Sequence, residues 1–121
     1  MSSWIIYIII ALIIIWFIFK SKGTVKGVRN ITTSELRGEL KDKNKQFIDV
    51  RTPGEYGANH IGQFKNIPLN QLPQKLKQLS KDKEVIVICQ SGMRSARASK
   101  ILKQNGFEKV TNVKGGMNAW S

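Results

Sequence analysis

A single cysteine, a single histidine and three prolines are all that this 121-residue chain has of the residues that announce a disulfide scaffold, a metal centre or a loop-built fold. One cysteine excludes an internal disulfide, so folding needs no oxidising compartment. One histidine with no second ligand at metal spacing leaves no metal site to propose, and nothing calls for a cofactor. Acidic residues are also scarce, 8 against 20 Lys and Arg, for a formal charge of +12. A nucleic-acid binder can have this balance. Here the basic residues are spread along the chain with no aromatic-interleaved stripe, so no nucleic-acid partner is expected. The charge reads instead as attraction to an anionic membrane surface and to small anionic substrates. Length is short too: it allows one domain of about 100 residues around a single core.

The one excess is a hydrophobic run. Trp4 to Phe19, WIIYIIIALIIIWFIF, carries neither charge nor helix breaker. As a helix it covers about 24 Å, against a hydrocarbon core of ~30 Å. Trp4, Tyr7 and Trp16 suit the interfacial belts, and Lys20 and Lys22 can snorkel, so a membrane span is expected. A secretory signal is disfavoured because there is no basic leader and no small-residue cleavage site. A core helix is disfavoured because the run is apolar all round. Lys20, Lys22, Lys26 and Arg29 crowd the C-terminal flank, which by the positive-inside rule places the rest of the chain in the cytoplasm. The organisation expected is therefore a transmembrane anchor over residues 1–22, a Gly-containing linker over 23–27 and a folded domain over 28–121.

Within that domain, strand-like and helix-like patterns alternate, which argues for an α/β fold on a parallel sheet. Val28 to Ile31 reads as a first strand. Thr32 to Glu35 reads as a capping box opening a helix to about Lys43. Gln46 to Val50 is a second strand, Leu72, Leu76 and Leu79 make a helical stripe, and Val110 to Val113 is a last strand before a minimal final turn. Glu84 to Cys89, EVIVIC, has the composition of a buried parallel strand. Ala96, Ile101 and Leu102 with intervening Arg97, Lys100 and Lys103 make the next helix, stopped at Asn105-Gly106.

Cys89 therefore stands at the carboxyl end of a strand, and Gln90, Ser91, Gly92, Met93 and Arg94 form the turn into a helix, with Ser95 following. Ligands collect in that crevice in open α/β sheets. Backbone N–H groups converging on the turn, the helix start and Arg94 all favour an anion, so the Cys89 thiolate is a usable nucleophile there. An inert buried thiol is the plainer reading of a lone cysteine. Met93 can equally be an ordinary apolar contact.

The strand, Cys89, a tight loop ending in Arg94, then Ser95 and a helix resemble the active-site loop of the rhodanese family of sulfurtransferases. A second stretch, Asp49 to Leu69, resembles another signature of that family through Asp49, Arg51, Glu55, Tyr56, His60, Ile61 and Asn66 to Leu69. It departs at Asn59 before the histidine and at Gly62-Gln63-Phe64 after it. Gly115-Gly116 with Trp120 resembles the family's ending. The resemblance covers about Val28 to Trp120. It implies a rhodanese-like three-layer α/β/α fold with a five-stranded parallel sheet, here preceded by the expected transmembrane helix. It also implies a persulfide on Cys89 that passes sulfur from a small anionic donor such as thiosulfate to a thiol, cyanide or protein acceptor. Asp49, Arg51 and Glu55 are expected to orient the Cys89 loop or Arg94, a surface ion pair being the plainer alternative, and His60 to be a hydrogen-bonded structural residue. Related phosphatases and arsenate reductases carry five residues between Cys and Arg, whereas this chain has four, Gln90 to Met93. The smaller cradle favours sulfur over phosphoryl chemistry. A membrane-tethered persulfide carrier or binding module serving one protein is the other reading that the residues allow.

Overall fold

The computed structural model describes residues 3–21 and 27–121, and the side chains of all of these except 18–21. Its centre is β4 (Val85–Ile88), four β-branched residues at 0% exposure. Burying each such side chain contributes about 1.5–3 kcal/mol relative to leaving it in water. β5 (Val110–Val113) and β2 (Gln46–Asp49) flank β4, and β1 (Val28–Ile31) and β3 (Lys65–Asn66) form the edges. The order is β1-β5-β4-β2-β3, and every pairing is parallel.

Because side chains alternate along a strand, the apolar run of β4 feeds two cores. Val85, Val87 and Cys89 join Ile48, Val50, Ala98 and Leu102 on one face. Ile86 and Ile88 join Ile31, Leu36, Phe47, Phe64 and Met117 on the other. α5 (Met93–Gln104) and α4 (Leu72–Lys75) cover the first face, and α2 (Thr33–Glu39) and α6 (Gly116–Ala119) the second. The result is the expected α/β arrangement on a five-stranded parallel sheet.

Local signals set most of the element ends. The Thr32 side chain accepts from the Glu35 amide and the Glu35 side chain accepts from the Thr32 amide, a complete capping box. α2 ends at Glu39, short of Lys43. Gly38 weakens its last turn, and Asp42 Oδ1 accepts from the Asn44 amide, offering the backbone a turn instead of another helical residue. The leucine stripe is not one helix. α4 is a single turn between two 3₁₀ turns, Leu69–Gln71 and Leu76–Gln78, with Pro73 in its first turn supplying no N–H. Leu72, Leu76 and Leu79 nonetheless all pack on the first core. α3 (Pro53–Ala58) has no fully buried residue, only Glu55 and Tyr56 being partly covered, and follows the end of β2. Its two glycines, Gly54 and Gly57, mask a helical signal that Thr52, Pro53 and Glu55 otherwise supply.

The expectation of a membrane anchor is corrected. Trp4–Ser21 is helical, as α1, but among the described residues no helix is long and apolar enough to cross a membrane. The uncharged run is sixteen residues, about 24 Å at 1.5 Å per residue, which falls short of a hydrocarbon core of ~30 Å. The single-pass assignment, the membrane as a partner and the cytoplasmic placement drawn from the charge flank fall with it. The linker expected over residues 23–27 lies outside the described residues apart from Gly27, as do the side chains of Lys20, Lys22 and Lys26.

Candidate active site

β4 ends at Ile88, and the turn that follows is shaped by Gly92. At φ +105°, a conformation L side chains rarely adopt, Gly92 both caps α5 and aims its own N–H at Cys89 Sγ, 3.0 Å away. Cys89 has 0% exposure. Ser95, also buried, lies 3.3 Å from Sγ through its Oγ and donates to the Gly92 carbonyl at 3.1 Å. In this arrangement the thiol donates to Ser95 Oγ. Rotation of that hydroxyl converts it into a donor to a thiolate. The first-turn amides of α5 have no partner within the helix and open on the same turn.

The loop is held from below by the last segment of the chain. The Met117 amide donates to the Cys89 carbonyl at 2.8 Å and the Asn118 amide to the Gln90 carbonyl at 2.9 Å. So close an approach requires Gly116: a Cβ there would stand 2.1 Å from the Cys89 carbonyl oxygen. The sequence shows the Gly-Gly pair but gives no sign that it lies under Cys89. Asn118, whose Oδ1 accepts from Gln90 Nε2 at 2.6 Å, carries no sequence signal at all.

Two arginine–carboxylate pairs flank the loop. Arg51 and Asp49, 3% and 0% exposed in their side chains, meet at 2.8 Å (Nη2 to Oδ2), with Nε donating to both carboxylate oxygens at 3.1 Å. Arg51 then donates through Nη1 to Gln90 Oε1 at 3.2 Å and the Glu55 carbonyl at 3.3 Å, and through Nη2 to the Asn59 carbonyl at 2.6 Å. Asn66 Nδ2 donates to the carbonyls of Asp49 and Arg51 at 3.0 and 2.9 Å, tying β3 to the same corner. One buried guanidinium thus joins the end of β2, the 55–59 segment and the Cys89 loop.

The second pair is Arg94 with Glu55, bidentate at 2.6 and 2.9 Å and roughly one-third exposed on each side. Glu55 also closes a capping box with Thr52 at the start of α3, so its carboxylate is placed before Arg94 reaches it. Those hydrogen bonds, the Arg94 guanidinium foremost, hold the Glu55 carboxyl at about 2. Arg94 is correspondingly raised, first by Glu55 and then by the nearby charges of Cys89 and Asp49.

The remaining expected residues sit as follows. Ser91 is exposed, and Met93 is 80% exposed at the mouth of the loop. His60 is exposed, stacks on the Tyr56 ring at 3.8 Å and donates from Nδ1 to the Tyr56 carbonyl at 2.8 Å. It forms no hydrogen bond to the Cys89 loop among the described residues. No group of three or more His, Cys, Asp or Glu gathers among those residues where a metal could be held.

Comparison with known proteins bears on the family and the fold. Residues 32–121 match the family described as Rhodanese-like domain. The chain is 38% identical over 120 residues to the uncharacterized protein YqhL of Bacillus subtilis, covering 99% of this chain and 94% of that one. It is 40% identical over 94 residues to the putative sulfurtransferase YtwF of the same organism, covering 77% and 90%. A rhodanese-like domain protein from Staphylococcus aureus superposes with a TM-score of 0.72 at 37% identity, covering 78% of this chain and 92% of that one. Other relatives are named sulfurtransferase, putative sulfur carrier protein and tRNA uridine(34) hydroxylase, the last matched over 27% of its length.

Proposed function

The chain belongs to the rhodanese-like domain family, and from that premise we propose that it moves a sulfane sulfur from a small anionic donor such as thiosulfate to a thiophilic acceptor through a persulfide on Cys89. Its relatives include sulfurtransferases and a sulfur carrier. The observation that carries the reading is the Gly92 N–H directed at Cys89 Sγ at 3.0 Å, with Ser95 Oγ at 3.3 Å. The Gly92 N–H, and the Ser95 hydroxyl once rotated away from the Gly92 carbonyl, stabilise an anionic sulfur at the start of a helix.

In the first half-reaction the Cys89 thiolate attacks the outer sulfur of thiosulfate. The new Sγ–S bond forms as the old S–S bond breaks, and sulfite departs with the electron pair. In the second, an acceptor nucleophile attacks the outer sulfur and Cys89 leaves as thiolate. Neither step needs a general base once the thiol is ionised, so no histidine at the sulfur is required. The N–H groups of the 90–94 turn stabilise the charged persulfide, and Arg94, held by Glu55, presents its remaining N–H donors to the incoming anion. Asp49 and Arg51 position the loop through Gln90. A phosphatase or arsenate reductase is disfavoured by the four-residue loop. A dedicated carrier loaded by one protein donor is the second reading, favoured by the relative named as a sulfur carrier.

The test is the mass of the full-length chain after incubation with thiosulfate, beside Cys89→Ser. We expect a gain of one sulfur on the wild type alone, released as thiocyanate on adding cyanide. A folded, reduced chain that takes up no sulfur overturns the thiosulfate reading. Loading only by a persulfidated protein would establish the carrier.

A further inference from the structure

We propose that Arg37 and Trp120, in contact on the face of the sheet opposite α5, are positioning residues that hold the Cys89 turn in its reactive shape. This rests on the sulfur-transfer reading above for the reaction and adds what keeps the reacting turn in place. Arg37 Cζ stands 4.1 Å from the centroid of the Trp120 ring. A guanidinium over an aromatic face is held by the ring's electron density, and tryptophan binds a cation best. Neither residue forms a hydrogen bond to residues 89–94 among the described residues, so any effect on the turn must be transmitted.

The connection runs through α6. Its Met117 and Asn118 amides hold the carbonyls of Cys89 and Gln90 at 2.8 and 2.9 Å. No described peptide bond is cis, and in a trans peptide the N–H points opposite to the C=O of the same unit. Fixing those two carbonyls therefore turns the Gln90 and Ser91 N–H groups away from α6. Neither donates to an acceptor among the described residues, so both are free for the negative charge of a persulfide. Their direction is set by where α6 sits.

Little inside α6 fixes that direction. It has four residues and is entered through Gly115 and Gly116, at φ +74° and +53°, where no side chain restricts the backbone. Met117 seats it on the second core, and α2 fixes its exit. Thr33 Oγ1 donates to the Ala119 carbonyl at 3.1 Å, and Arg37, about one helical turn on, covers the Trp120 ring. α2 is a firm anchor: its capping box is complete, and Leu36 is 0% exposed in the cluster on which Trp120 also packs. Loss of Arg37 or Trp120 thus loosens α6 and, through two hydrogen bonds, lets the peptide units of the turn rotate.

The experiment compares Arg37→Gln, Arg37→Lys, Trp120→Ala and Trp120→Phe in the full-length chain. It reads the amide NMR resonances of Gln90, Ser91 and Gly92, and the rate of sulfur loading against thiosulfate concentration. We expect the resonances to move in Arg37→Gln and Trp120→Ala, and the loading rate at saturation to fall roughly threefold and tenfold. The thiosulfate concentration giving half the maximal rate should stay within about twofold, since Arg94 is untouched. Arg37→Lys keeps the cation and Trp120→Phe the ring face, so both should load within about twofold of the wild type. Unmoved resonances, or an unchanged rate at saturation, overturn the inference. So does an equal loss in Arg37→Lys and Trp120→Phe, because the ring contact is then not its source. Arg37 is exposed, so Arg37→Gln leaves the core whole and decides the outcome if Trp120→Ala does not fold. A wild type that takes up no sulfur sinks the sulfur-transfer reading, and the resonances still decide whether this contact places the turn.

Discussion

Arg51–Asp49 and Arg94–Glu55 are the same chemical pair in two environments, one under the Cys89 loop and one at its mouth. The first is sealed, 3% and 0% exposed, and the Arg51 side chain donates to carboxylate, backbone carbonyls and Gln90. The second is about one-third exposed on each side, and among the described residues the Arg94 side chain bonds to Glu55 and no other. A buried ion pair adds little net stability but is costly to break, because its surviving partner is left uncompensated. A half-exposed pair is screened by solvent and contributes little either way. On the function proposed above, the first pair holds the loop and the second is left available to an incoming anion.

That contrast can be broken most sharply at Asp49. Asp49→Ala strands the buried Arg51 and is expected to destabilise the chain by about 3–5 kcal/mol, measured by urea denaturation. Loss below about 1 kcal/mol would show that the buried pair is not holding this corner. Next in size is Gly116→Ala, which tests the loop's other support. The added Cβ meets the Cys89 carbonyl, so the loop must shift by an ångström or more. Sulfur loading should slow by roughly 100-fold, read by time-resolved mass spectrometry.

Glu55→Gln addresses the exposed pair. Stability should change by less than about 1 kcal/mol, while kcat/KM with thiosulfate falls roughly tenfold because Arg94 loses its fixed orientation. A stability loss matching that of Asp49→Ala would erase the distinction between the two pairs.

The smallest effect is on pH dependence. Glu55 is held at about 2, below the ordinary 4.5 that it has in the unfolded chain. A carboxyl depressed on folding contributes stability that is present above about 4.5 and is lost as pH falls toward 2. The stability difference between wild type and Glu55→Gln should therefore be constant above about pH 5 and close progressively toward pH 2, followed by denaturation across that range. A difference unchanged at pH 2 would place its origin elsewhere than the carboxylate charge.

Four of the five strands were legible because each is a run of apolar or β-branched residues whose burial needs no knowledge of its neighbours. β3 was not, since Lys65–Asn66 is two residues long and one of them is exposed. α3 was missed because its glycines offset its capping box, and the leucine stripe gave the correct buried face but the wrong regularity. The terminal apolar run shows the limit of composition: sixteen uncharged residues suggest a span, yet no described helix has the length and apolarity to cross one.

By itself, the sequence determined what local chemistry can encode: a β-branched strand delivering the lone cysteine to a glycine turn at a helix start, and arginines and carboxylates in two separate segments. Only the tertiary structure decided how these meet. Arg51 reaches Gln90 across 39 residues of chain and Arg94 reaches Glu55 across the same separation, while Gly116, just beyond the neighbouring strand β5, passes beneath Cys89. Such contacts depend on strand order and on crossovers, which no local pattern specifies, and on the close approach of two backbones, visible only once a missing Cβ has something to clash with.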